Sequence, residues 1–233
     1  MTARPPRVVS LVPSVTETLL AWGVTPAACT RFCEQPDLPH VGGTKDPDVG
    51  AIAGLAPDLV VMCVEENRRE DAQALAEAGL VTASLSVDSV ADVAPALRML
   101  AGLVGADPGV VEEVTVADAP PGAPRAFVPI WKRPWMTMSG GTYGSSLLAA
   151  AGVANVFADA RDRYPTVTLD EARAGRPDVV LAPSEPYPFA ERHVPQLEEV
   201  APAVLVDGQD LFWWGARPPA ALARLREALA GLG

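Results

Sequence analysis

Six aromatic residues and a few charged ones stand where a ligand could be gripped. Trp131 and Trp135 flank Lys132-Arg133-Pro134, Tyr187 and Phe189 sit in Glu185-Pro186-Tyr187-Pro188-Phe189, and Trp213-Trp214 precede Gly215-Ala216-Arg217. Such rings make a wall for a large, flat or greasy ligand. Each proline fixes its own φ, so the 185–189 loop is stiff, and a preset loop loses less entropy on binding. Packing of loops onto a sheet would account for any one of these rings. Grouping four of the five tryptophans with Tyr187 and Phe189 favours an aromatic-lined pocket. Glu34, Glu65, Glu66 and Glu185 supply carboxylates that accept hydrogen bonds from ligand amides or pair with Arg68 and Arg217. Glu65, Glu66 and Arg68 also read as the charged start of a helix. Arg217 could stack on a ring or clamp a carboxylate or phosphate.

Metal ligation is the sharper alternative. Cys33, Glu34, His40 and Cys63, with His193 from the other half, offer donors, but none has the CxxC or HxxxH spacing of a metal site. Cys63 lies inside a strand and reads as core, whereas Cys33 and His40 fall in loops and read as surface residues. Catalysis has less to draw on: there is no G-x-S-x-G elbow, no paired-histidine motif, and only two histidines in all. The residues therefore favour a binding protein over an enzyme. The alternative is a cytosolic metal-dependent enzyme or metal-handling protein with Glu34, Glu65, Glu185 and Cys33 or His40 around an ion. Neither Ser139–Ser145 nor Gly42-Gly43-Thr44-Lys45 has phosphate-loop order.

The composition narrows the partners. In 233 residues, 18 basic side chains face 29 acidic ones, a formal charge of −11 that repels a phosphate backbone and excludes nucleic acid. Apolar residues reach 49% against 20% charged, enough for a folded core. No apolar run approaches the roughly 18–20 residues of a membrane span. Residues 1–7 lead straight into a strand with no basic and apolar leader. Three cysteines, an odd number, suit a reducing compartment. A cytoplasmic chain is expected, or a periplasmic or extracellular one if a leader has been trimmed.

These residues need elements to position them, and the elements come twice. In the first half a strand is expected over residues 7–12. A helix over 15–22 follows, with Ser14 and Glu17 as capping box and Gly23 as stop. Next come a strand over 27–31, a short helix over 48–55, a strand over 59–64, a helix over 69–78 and a strand over 81–85. The second half offers a strand over 126–130, helices over 144–151 and 170–175, a strand over 179–182, a helix over 191–200 and a strand over 203–206. Glu65 follows Pro57 by the eight residues that separate Glu185 from Pro177. That spacing marks an internal duplication of an α/β lobe with a mostly parallel sheet. Apolar residues from Val90 to Val104 recur at helical intervals, giving a long helix over 88–105 that residues 107–117 extend or follow with a second. A last helix is expected over 218–232. The divisions are thus an N-terminal lobe at 1–87, a helix and linker at 88–118, and a C-terminal lobe at 119–233.

The stretch from Arg7 to Gly23, the segment His40-Val41-Gly42-Gly43-Thr44 and the segment Leu55-Ala56-Pro57-Asp58-Leu59-Val60-Val61 resemble the class III, helical-backbone substrate-binding proteins. Their cobalamin-binding members are the most similar. The resemblance implies two α/β lobes joined by one long helix and a metal chelate held in the cleft between them. A corrinoid is the first expectation, then a ferric siderophore or heme, in each case as cargo rather than resident cofactor. In that family one glutamate per lobe docks on an ABC importer. The corresponding positions here are Gly50 and Asp170, which argues against importer coupling.

Overall fold

A computed structural model describes residues 4–114 and 119–230. The chain divides into two compact units. The first runs from the N-terminus through Val87 and includes Asp92–Glu112 and Trp214–Ala216; the second holds Asp88–Ala91, Glu113–Trp213 and the chain from Arg217 onward.

The first unit is built from β1 (Val8–Ser10), α1 (Pro13–Ala21), β2 (Ala28–Cys29), α2 (Val49–Gly54), β3 (Leu59–Cys63), α3 (Arg69–Glu77) and β4 (Thr82–Leu85), followed by α4 (Val90–Val104). Its four strands lie in the order β2-β1-β3-β4, all parallel. Val9, Leu11, Ile52, Val60, Met62 and Leu75 form the core between sheet and helices. Burying each such side chain contributes about 1.5–3 kcal/mol.

The second unit has β5 (Arg125–Phe127), β6 (Trp135–Met136), α5 (Tyr143–Ala150), β7 (Ala154–Asn155), β8 (Thr166–Val167), α6 (Leu169–Ala174) and β9 (Val179–Pro183). After a 3-10 turn at Glu191–His193 come α7 (Val194–Leu197), β10 (Ala203–Val206), α8 (Gly208–Phe212) and α9 (Pro218–Ala230). Its main sheet runs β7-β5-β9-β10, again parallel throughout, the order of the first sheet with each strand replaced by its counterpart. The fold is α/β with two similar parallel-sheet lobes, as the duplicated pattern requires. An antiparallel pair of β6 with β8 is an addition of the second unit.

The repeat extends to single hydrogen bonds. Asp58 Oδ2 accepts from the Arg7 amide at 2.6 Å while the Asp58 amide donates to the Arg7 carbonyl at 2.8 Å. Asp178 does the same with Arg125, at 2.8 Å for each bond. Two residues before each aspartate, Ala56 and Arg176 take left-handed φ values of 46° and 49°. Each Pro-Asp pair thus clips the start of one strand to the start of its central neighbour.

Four expectations need correction. Helix α1 begins at Pro13, with Val12 as N-cap and no side-chain cap. Proline's φ and missing N–H suit the first turn, so Ser14 lies inside the helix instead of capping it. The helix expected over 191–200 is a 3-10 turn and one α turn, with Pro195 near the start of the latter. Helix α4 stops at Val104, ahead of a left-handed Gly105 at φ 67°, and residues 105–114 form no helix. Its expected continuation over 115–117, like the end of the final helix at 231–232, lies outside the described residues. Cys33 is buried, not a surface residue: a turn closed by its amide on the Thr30 carbonyl at 3.1 Å folds it inward and leaves Phe32 outside. Among the described residues no helix is long and apolar enough to cross a membrane.

Candidate ligand-binding site

In parallel sheets, ligand-contacting loops lie beyond the carboxyl ends of the strands. In the second unit those loops carry one continuous group of rings. Trp131 meets Tyr187 edge-on with ring centres 5.6 Å apart, and Tyr187 packs tilted on Phe189 at 4.7 Å. Phe189 stacks on Trp135 at 6.0 Å, 4° from parallel. His193 closes the group, 5.5 Å from both Tyr187 and Phe189. Lys132 places its Nζ 5.4 Å from the centre of the Trp135 ring.

The group is graded from solvent to core. Trp131 is 43% exposed, Trp135 and Tyr187 are half-buried, and Phe189 and His193 are buried. Backbone bonds between Ile130 and Met136 at 2.8 Å and between Met136 and Trp131 at 3.2 Å pin the loop that carries the tryptophans. Its turn uses a left-handed Arg133 at φ 70° and a cis Arg133–Pro134 bond; Glu185–Pro186 is also cis. His193 Nδ1 accepts from the Ala190 amide at 3.1 Å, which places its ring proton on Nε2. Burial, and then the positive charges of Arg192 and Lys132, lower its pKa, so the imidazole is neutral at pH 7 and serves as packing.

Glu185 is half-buried beside the start of α8. A Cβ on Gly208 would lie 2.5 Å from both the Cγ and the amide nitrogen of Glu185, so only glycine allows this approach. The Gly208 amide also donates to Ser184 Oγ at 2.9 Å.

Trp213 and Trp214 stand apart from these rings. Both are buried, and among the described residues neither enters the ring contacts above. Arg217 lies 5.1 Å over the Trp213 ring and donates to Gln209 Oε1 at 2.7 Å, with Asp210 at 3.5 Å. Trp214 belongs to the first unit with Gly215 and Ala216, whose amide donates to Thr18 Oγ1 at 3.2 Å.

In the first unit Glu34 is exposed at a left-handed φ of 53°, and Glu65 and Glu66 are half-buried beyond β3. Arg68 makes a two-pronged pair with Asp71 at 2.9 Å for each bond. Asn67, which nothing in its sequence neighbourhood marks, holds this end of the sheet together. It accepts from the Cys63 amide at 2.8 Å and donates to the Leu11 and Thr44 carbonyls at 3.2 and 2.7 Å. His40 is exposed, with Nε2 3.0 Å from the Gln35 carbonyl. Burial raises the Cys63 thiol to about 11. Among the described residues no group of three or more His, Cys, Asp or Glu side chains could hold a metal ion.

Residues 8–107 match the model of the periplasmic binding protein family. The vitamin B12-binding protein of Salmonella paratyphi A is 26% identical over 191 residues, 76% of this chain and 71% of that one. A solved periplasmic vitamin B12 binding protein of Vibrio cholerae superposes with a TM-score of 0.76 at 16% identity, covering 98% of both chains. A periplasmic heme-binding protein solved with two hemes gives 0.79 at 22% identity, over 97% of this chain and 98% of that one. The chain has the fold of these class III binding proteins. The named relatives are binding proteins, and the metal-dependent-enzyme alternative finds no support in them. The two positions that the resemblance matches to docking glutamates lie on short helices. Gly50 of α2 is exposed with nothing crowding it, and Asp170 of α6 pairs with Arg173 at 2.5 Å.

Proposed function

We propose that the chain binds a metal chelate with a broad, ring-rich face and performs no reaction on it. A corrinoid is the first candidate; heme or a ferric siderophore comes next. The graded group of rings carries this reading: Trp131 presents open aromatic surface, and Tyr187, Phe189 and Trp135 hold it in place from behind. An aromatic face braced from beneath is ordered before the ligand arrives. Support also comes from relatives named for vitamin B12 and for heme.

The proposed contacts are Trp131, Tyr187 and Glu185 from the second unit, and Glu34, Glu65 and Glu66 as hydrogen-bond acceptors from the first. Trp135 and Phe189 support the contacting rings. Arg68, Trp213, Trp214 and Arg217 act on the site through the loops they brace. We also propose that the protein works in the cytoplasm without an importer. Three unpaired cysteines and the missing carboxylate at Gly50 support that reading.

The test is titration of the apo protein with hydroxocobalamin and, separately, with hemin, read by tryptophan fluorescence and the ligand's visible bands. Saturable binding of either, lost in Trp131→Ala, is the expected result. Saturation by hemin alone would replace the corrinoid with heme, and saturation by neither would overturn the reading.

A further inference from the structure

The rings of the second unit are flanked by positive charge that no carboxylate takes up. Lys132 is half-buried and holds its Nζ 5.4 Å from the centre of the Trp135 ring. Arg192 is exposed at the other end of the group, next to His193, which packs 5.5 Å from both Tyr187 and Phe189. The turn that carries Arg192 is fixed from both sides: the His193 amide donates to the Ala190 carbonyl at 2.8 Å, and the Ala190 amide donates to His193 Nδ1 at 3.1 Å. Both cations are near enough to His193 to help lower its pKa. Elsewhere Arg31, Arg68, Arg163, Arg173 and Arg224 each meet an aspartate within 3.0 Å. Among the described residues Lys132 and Arg192 enter no such pair. The same loops hold two carboxylates: Glu185, whose Cγ lies close to Gly208 at the start of α8, and exposed Glu191.

We infer, on the chelate reading above, that Lys132 and Arg192 form an anion clamp beside the ring face, for a carboxylate or phosphate on the rim of the bound chelate. The chain as a whole, at −11, repels an anionic ligand. At physiological salt that field decays over about 8 Å, so a docked ligand feels mainly the groups beside it. Next to these rings those groups include one ammonium and one guanidinium. The guanidinium can grip both oxygens of a carboxylate or phosphate, and the ammonium adds a point charge. No ion pair of Lys132 or Arg192 has to break when the ligand arrives. Both ligand classes carry such a rim group, the propionates in heme and the phosphodiester in cobalamin.

The experiment measures Kd by tryptophan quenching for two ligand pairs, with the wild type and with the double variant Lys132→Gln, Arg192→Gln. One pair is hemin and its dimethyl ester, whose propionates are capped. The other is hydroxocobalamin and diaquacobinamide, which keeps the corrin ring but lacks the phosphodiester. In the pair that binds, the wild type is expected to hold the member with the anionic group about tenfold more tightly. The double variant is expected to lose that preference and to bind the other member as before. A preference within the hemin pair assigns carboxylates to the clamp, and one within the corrinoid pair assigns the phosphate. Equal binding of both members by the wild type, or a preference that survives in the double variant, would overturn the clamp and leave the chelate reading standing. Binding of none of the four would overturn both. If the double variant does not fold, the wild-type preference and its collapse at about 0.5 M salt decide.

Discussion

Trp131 and Tyr187 meet edge to face at 5.6 Å, the first ring exposed and the second half-buried. An edge-to-face contact covers at most one flat face of the upper ring, and the exposed part of that ring remains for a ligand.

Ligand affinity and stability should therefore separate along this group of rings. Trp131→Ala is expected to weaken chelate binding about tenfold or more while leaving the melting temperature nearly unchanged. Phe189→Ala, at the buried end, is expected to cost about 3–5 kcal/mol of stability. Chemical denaturation of both variants beside a ligand titration checks the split.

Asn67→Ala removes three hydrogen bonds to backbone groups of different segments. A loss of about 2 kcal/mol is expected, with faster amide exchange at Cys63, whose N–H loses its acceptor.

The neutral state of His193 gives stability a pH dependence. Its folded pKa lies below the ordinary 6.5, so on acidification the unfolded chain takes up the proton first. Stability should fall as pH drops through about 6.5 and below. His193→Gln should flatten that slope, which denaturation midpoints between pH 7 and 5 will show.

The duplication was legible because its signals are local: β-branched runs, Pro-Asp starts, and glycine stops at Gly23, Gly79 and Gly152. The two-residue strands β6 and β8 were not, since nothing but their pairing with each other makes them strands. Residue type also failed to separate Trp131 from Trp213 and Trp214. Trp131 follows β5, whereas Trp213 and Trp214 follow the short helix α8 and are buried, and burial is settled by segments distant in sequence. Arg68 with Asp71 was within reach of the sequence, being three residues apart at a helix start, whereas Asn67 owes its role to carbonyls of residues 11 and 44.

The Pro-Asp clips sit at the amino ends of the strands, and the rings sit beyond the carboxyl ends. Frame and contact surface are therefore separately heritable. A lineage with this architecture can rewrite the residues between Ile130 and Met136, or between Ser184 and Ala190, and so change what it holds while each sheet assembles as before.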